Sequence, residues 1–260
     1  TTPVDPEGWD LGAARESLIQ ASPRLVYLVP DFQNPTGLLM SDAQRAAYAD
    51  HLRATGAIPV IDETMQPLAL EGQSMPRPFA AHASNTITVG SASKSLWGGL
   101  RLGWIRAPHD LMDRLINARV SLDLGAPVME QLVLATLLEN PDEALAWHRT
   151  RLREQRDALV AAVRADLPTW RFQTPSGGLA LWCRIPDASG TALAVAAERE
   201  GVIITPGPVF AAEGGLDRFV RIPWTRPAEE LADGVRRLAR VWPQVEAARA
   251  PRASHRVMVA

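Results

Sequence analysis

The sequence predicts an α/β fold: a mostly parallel sheet flanked by helices up to about residue 120, then a smaller α+β unit from about residue 140. Three observations carry this. Leu25–Val29 and Ile58–Ile61 are short continuous apolar runs, as strands buried on both faces of a parallel sheet would be. Between them, Ser41-Asp42-Ala43-Gln44 has the capping-box form that opens a helix. A long amphipathic stretch from Pro141 to about Asp166 then separates this pattern from one of short strands with two further helices.

In chain order, residues 1–10 read as irregular around Pro3, Pro6 and Gly8. Leu11–Ala21 has helical spacing and ends before Pro23. The Leu25–Val29 strand runs into a turn-rich loop, Asp31 to Gly37, and the capped helix runs to about Thr55, where Gly56 stops it. Asp62 and Glu63 stand at the carboxyl end of the next strand. In open α/β sheets ligands bind beyond the carboxyl ends of strands, so Asn34 and Asp62 are both placed where a ligand would be. Residues 66–85 are loop-like, with prolines at 67, 76 and 78. Thr86–Val89 is a strand, and Leu102–Arg106 follows too soon for a helical crossover, so it reads as antiparallel to it. Leu111–Val120 is a helix, and Gly125-Ala126-Pro127 opens another through about Leu138. Beyond the long helix, Arg171–Phe172, Leu179–Arg184, Val202–Thr205 and Phe219–Ile222 look like strands. Helices fall near Thr191–Glu200 and Pro227–Val241. Past Trp242 the chain turns Ala/Arg-rich and reads as a disordered tail over 247–260.

Composition narrows the function. The net charge is −2 and the pI about 6.2, so nothing electrostatic in this chain points to nucleic acid or an anionic membrane surface. Arg149, Arg151, Arg153 and Arg156, interleaved with Glu154 and Asp157, read as a solvated helix face. Cys183 is the only cysteine; no internal disulfide is possible, which fits a cytoplasmic protein, and its apolar strand predicts a buried thiol. No apolar run approaches the roughly 20 residues of a membrane span. The five histidines share no metal-ligand spacing, and no metal site is expected.

Lys94 is the only lysine beside 26 arginines. Arginine stays protonated and cannot attack a carbonyl, whereas a lysine amine can. Ser91-Ala92-Ser93-Lys94, followed by Gly98-Gly99-Leu100-Arg101-Leu102-Gly103, resembles the cofactor-lysine motif of fold-type-I pyridoxal-phosphate (PLP) enzymes, the aspartate aminotransferase superfamily. Asn34-Pro35-Thr36-Gly37 and Asp62-Glu63-Thr64 strengthen the likeness. It implies the PLP-transferase fold, with a large domain over 1–120 that is N-terminally incomplete, linking helices over 121–166 and a small domain over 167–246. It also implies the roles. Lys94 forms the Schiff base, Asp62 pairs the pyridine nitrogen and Asn34 bonds the ring oxygen. Ser91, Ser93 and Arg101 hold the phosphate, and Arg221 binds a substrate carboxylate beside Asn34.

The seven-residue spacing from Lys94 to Arg101, the Gly-Leu-Arg-Leu-Gly run and Pro30-Asp31-Phe32-Gln33-Asn34 are similar to the aminotransferase-like domain of MocR-type regulators in the GntR group. That resemblance implies a homodimeric, effector-sensing protein recognising an amino acid or amine. Its DNA-binding domain would lie upstream, in a longer protein of which this chain is the C-terminal part. The alternative is a stand-alone PLP-dependent aminotransferase. The family's tyrosine three residues after the pyridine aspartate is Met65 here, which sets efficient transamination against a vestigial form of it. Tyr27 and Tyr48 are the only tyrosines, one in the strand expected to be buried, the other on a helix. A sheet without upstream strands predicts exposed apolar surface along one edge and poor solubility.

Overall fold

The structure is a computed structural model and describes residues 8–123, 125–212 and 214–248. The chain divides into two compact units, Thr1–Arg151 with Pro175–Gly178, and Leu152–Thr174 with Leu179–Ala260.

The first unit begins with α1 (Leu11–Ala21), whose N-cap Asp10 accepts a hydrogen bond from the Ala13 N–H at 2.9 Å. Strand β1 (Leu25–Leu28) leads to α2 (Asp42–Thr55). The capping box closes there in both directions, Gln44 N–H to Ser41 Oγ and Ser41 N–H to Gln44 Oε1. Gly56 ends α2 at φ 69°, a backbone conformation a side chain would oppose. Then come β2 (Ile58–Asp62), β3 (Ile87–Ser91), the one-turn α3 (Ala92–Ser95), β4 (Gly103–Arg106), α4 (His109–Val120), α5 (Val128–Glu139) and α6 (Pro141–Asp166). The sheet order is β1-β2-β3-β4; β1, β2 and β3 are parallel and β4 is antiparallel to β3. The tight β3–β4 return fits because Trp104 lies over Gly90: a Cβ there would sit 2.2 Å from the indole.

The two faces of this sheet differ. Val26, Leu28 and Ile61 pack against Ala14, Leu18, Tyr48, Ala49 and Leu52 of α1 and α2. The other face carries two cross-strand rows, Tyr27–Val60–Ile87 and Asp62–Val89–Ile105. No helix of the described residues covers it: Leu25 is 58%, Tyr27 63% and Ile105 51% exposed. The expectation that β1 is buried on both faces is therefore corrected; helices pack on one side only. The exposed apolar surface is also wider than one edge, since no residue of α4 or α5 is buried.

The second unit holds the rest of α6, β5 (Ala180–Arg184), α7 (Gly190–Arg199), β6 (Thr205–Pro206), β7 (Phe219–Pro223) and α8 (Ala228–Ala247). Its sheet is antiparallel, in the order β5-β7-β6. Leu181, Cys183, Val220 and Trp224 have no exposed surface and form its centre with Leu193 of α7 and Val235 and Leu238 of α8. Burial pushes the Cys183 thiol well above its ordinary range.

Three boundaries move. Arg171–Phe172 is only a single bridge, Arg171 to Arg184, and the strand expected at Val202–Thr205 shrinks to Thr205–Pro206. The last helix passes Pro243 and continues to Ala247, because Val245 prolongs the buried stripe of Leu231, Val235, Leu238 and Val241. The tail expected over 247–260 thus begins inside that helix, and residues 249–260 lie outside the described residues. Nor is the α6 arginine group a solvated face. Arg149 donates to the Pro67 carbonyl at 2.7 Å, and Arg156 is 4% exposed beside Asp157. Long guanidinium side chains can bury their stems when the head finds an acceptor. No helix of the described residues is long and apolar enough to cross a membrane.

Candidate cofactor site

Three parallel strands end at one edge of the first sheet, and that edge gathers the polar groups. Ser91 closes β3 and caps α3, its Oγ accepting the Ser93 N–H at 3.2 Å. The turn it opens places Lys94, whose Nζ donates to Thr64 Oγ1 at 3.0 Å. Thr64 follows Asp62, the last residue of β2, by two positions. Asp62 is half-buried and held from both sides. Its Oδ1 accepts the Thr64 N–H at 2.9 Å, and its Oδ2 accepts the Tyr27 hydroxyl at 2.5 Å. Burial pushes the Asp62 carboxyl up, but the Thr64 and Tyr27 hydrogen bonds and the nearby Lys94 charge outweigh it, and the net shift is downward. The Tyr27 phenol is pushed well above its ordinary range, by burial first and then by Asp62.

Asn34 belongs to the loop after β1. Gln33 braces that loop, its Oε1 accepting from the Thr36 N–H at 3.1 Å and the Thr36 hydroxyl at 2.6 Å. Below it, Asp31 pairs with Arg45 of α2 at 2.6 Å with both side chains buried. The Asn34 carboxamide is exposed and makes no hydrogen bond among the described residues. Asn34 and Tyr27 line one cleft of about 390 Å³ with Trp9, Val29 and Gln33.

Arg101 follows a short 3-10 turn in the left-handed region, φ 51°, and is exposed between Leu100 and Leu102, which are buried. That backbone costs a non-glycine residue of the order of 1 kcal/mol. Arg221, on the central strand of the second unit, pairs across to Trp182 and Thr205. Among the described residues its buried Nε has no hydrogen-bond partner, and burial lowers the guanidinium pKa.

The structure thus brings Asp62, Ser91, Ser93 and Lys94 to one sheet edge; Asn34 shares a cleft with Tyr27, and Arg221 stands in the second unit. Three contributors are not evident in the sequence. Tyr27, expected in a buried strand, is exposed and bonds Asp62, a contact set by the register of β1 and β2. Thr64 meets Lys94 only in space. His148 of α6 bonds the Lys94 carbonyl through Nε2 at 3.0 Å, while its Nδ1 faces Arg151 Nη2 at 3.0 Å. A guanidinium only donates, so Nδ1 accepts and the proton sits on Nε2. Burial, then Arg151, depresses the His148 pKa against the raising effect of that carbonyl, which keeps the ring neutral.

The chain as a whole resembles known proteins. The profile of the family described as aminotransferase class I and II matches residues 8–238, and the chain belongs to that family. It is 34% identical to the 2-aminoadipate transaminase of Thermus thermophilus over 248 residues, 92% of this chain and 62% of that protein. It is 32% identical to YisV of Bacillus subtilis, an uncharacterized HTH-type transcriptional regulator, over 69% of this chain and 38% of that protein. The crystal structure of LysN, the α-aminoadipate aminotransferase of Thermus thermophilus complexed with N-(5'-phosphopyridoxyl)-L-leucine, superposes with a TM-score of 0.89. The identity is 32%, covering 95% of this chain and 66% of that one. The chain spans 62% and 38% of the length of these two curated relatives.

The fold is that of PLP transferases, and pyridoxal phosphate is the cofactor this family implies. The residues present fit it. One primary amine stands beside an ionised, half-buried carboxylate, and the Ser93 hydroxyl and Asn34 carboxamide make no hydrogen bond among the described residues.

Proposed function

We propose that this chain is the PLP-binding part of a MocR-type regulator that senses an amino acid or amine through Lys94. One observation carries the reading: the only lysine holds its amine 3.0 Å from Thr64 Oγ1, two residues beyond the ionised Asp62. Pyridoxal phosphate supplies an aldehyde for imine exchange and a ring that withdraws electrons. Lys94 offers the amine, which Thr64 orients. Asp62 offers a carboxylate to a protonated ring nitrogen, and Asn34 a donor to the ring oxygen. The Ser91 and Ser93 hydroxyls and Arg101 suit a phosphate dianion. Arg221, with Asn34, suits the carboxylate of an amino acid. The expected homodimer, cytoplasmic location, DNA-binding partner domain and division at 1–120, 121–166 and 167–246 belong to the same proposal.

The likeness to HTH-type regulators supports a sensing role. So does Met65, which is buried and offers no phenol where the family keeps one. A second reading, a stand-alone aminotransferase, is supported by the match to 2-aminoadipate transaminase over 92% of the chain. Incubation with an amino donor and a keto-acid acceptor separates them: sustained turnover favours the enzyme, ligand binding without turnover the sensor.

The cofactor assignment is tested by borohydride reduction and peptide mapping. The pyridoxyl label is expected on Lys94, and Lys94→Arg, which keeps the charge but cannot form an imine, is expected to take none. Label elsewhere, or none on the wild type, overturns the assignment.

A further inference from the structure

We propose that Tyr27 is a positioning residue of the cofactor site, acting through Asp62: its phenol fixes and keeps ionised the carboxylate that faces the ring nitrogen. This deepens the PLP reading and rests on it.

Tyr27 lies opposite Val60 in the parallel β1–β2 pair, and Asp62 is two residues beyond Val60, so all three share a face. A diagonal neighbour across a strand pair is about 7–8 Å away at Cα, within reach of an aromatic side chain. Tyr27 spans that distance and ends on Asp62 Oδ2 at 2.5 Å. A one-residue slip would turn the phenol to the opposite face, so the strand pairing itself holds the contact.

The carboxylate has about four lone-pair sites; the Thr64 N–H is on Oδ1 and the Tyr27 hydroxyl on Oδ2, and the Thr64 side chain also stabilises the charge. A ring N–H can still be accepted on either oxygen. Two donors bonded to the charged form favour that form, which is the one a pyridinium needs. Burial and the adjacent Asp62 carboxylate raise the Tyr27 pKa, which keeps the phenol protonated and a donor near neutral pH. The chain has only two tyrosines, and Tyr48 is buried among α1 and α2. Tyr27 is thus the only phenol able to serve this edge, and it serves the nitrogen side of the ring through Asp62. A merely structural reading would make it an ordinary cross-strand contact, yet 63% of the residue is exposed and only the hydroxyl is engaged by an ionised group.

The test is a double-mutant cycle on PLP binding with the full chain: wild type, Tyr27→Phe, Asp62→Asn and the double variant. Phenylalanine keeps the ring and removes the hydroxyl, and the urea midpoint is expected to stay unchanged. Tyr27→Phe is expected to weaken PLP binding about tenfold when Asp62 is present and to have no effect in the Asp62→Asn background. Equal losses in both backgrounds, or no loss in either, overturn the inference. If the wild type itself binds no PLP, the cofactor reading has failed, and the Tyr27–Asp62 link is decided separately by near-ultraviolet titration of the phenol. Asp62→Asn should lower the pH at which Tyr27 ionises; an unchanged titration overturns it.

Discussion

At the residue scale the site depends on which polar atoms are left without internal partners. Several charged groups among the described residues are paired: Asp42 with Arg77 and His82, Asp233 with Arg236 and Arg237. Arg221 stands apart: its Nε is buried in a three-stranded sheet with no hydrogen-bond partner among the described residues. Leaving such a donor unpaired costs free energy that a ligand carboxylate would recover. Arg221→Ala is therefore expected to weaken binding of an amino-acid ligand by about 2–3 kcal/mol, the scale of a charge-assisted hydrogen bond, while PLP stays bound. Calorimetric titration of wild type and variant with the same amino acid measures it; equal affinities would exclude this arginine.

At the element scale, two contacts hold the loops of the site to helices. The Asp31–Arg45 pair ties the Asn34 loop to α2, and Arg45 also donates to the Met40 and Arg77 carbonyls. Removing one member of a buried pair strands the other, so Arg45→Met is expected to cost about 3–5 kcal/mol in urea denaturation. Its pH dependence has a definite sign. Burial raises the Asp31 pKa, and Arg45 only partly offsets it. A carboxyl whose folded pKa exceeds its unfolded value contributes stability below the unfolded pKa and loses it as pH rises through the folded pKa. Without Arg45 that folded pKa climbs further. The deficit of Arg45→Met is thus expected to be largest at neutral pH and to shrink in acid. A deficit independent of pH would show that Asp31 is not the stranded group. The second contact is His148, through which α6 holds the carbonyl of the turn that carries Lys94.

At the scale of the whole molecule, the open face of the first sheet dominates. Parallel sheets are ordinarily covered on both faces. Here Tyr27, Leu25 and Ile105 stand exposed on one face, and Leu122, Val128, Met129 and Leu132 are exposed around α4 and α5. Apolar surface of this extent marks association. The 260-residue chain is expected to bind a hydrophobic fluorescent dye in its native state and to self-associate as concentration rises. Dye fluorescence and sedimentation at several concentrations check this. A monomer that leaves the dye dark would show that the face is covered in solution.

The sequence by itself determined most of the elements and their order, and it marked Lys94 as the one lysine amine. Those depend on local signals: the Ser41–Gln44 box, Gly56, the apolar runs, and an amine that no other side chain could replace. It also placed Asn34, Asp62 and Lys94 near strand ends, because in parallel strands joined by helices those ends share one edge. Only the tertiary structure decided which groups meet there. A continuous apolar run reads the same whether one face is covered or two, so Tyr27 was expected to be buried and is exposed. Its bond to Asp62 depends on the register of two strands separated by 35 residues. The bonds of Thr64 to Lys94 and of His148 to the Lys94 carbonyl join residues 30 and 54 apart. No periodicity encodes such separations; packing sets them, since a polar group turned inward must find whichever partner the fold brings within reach.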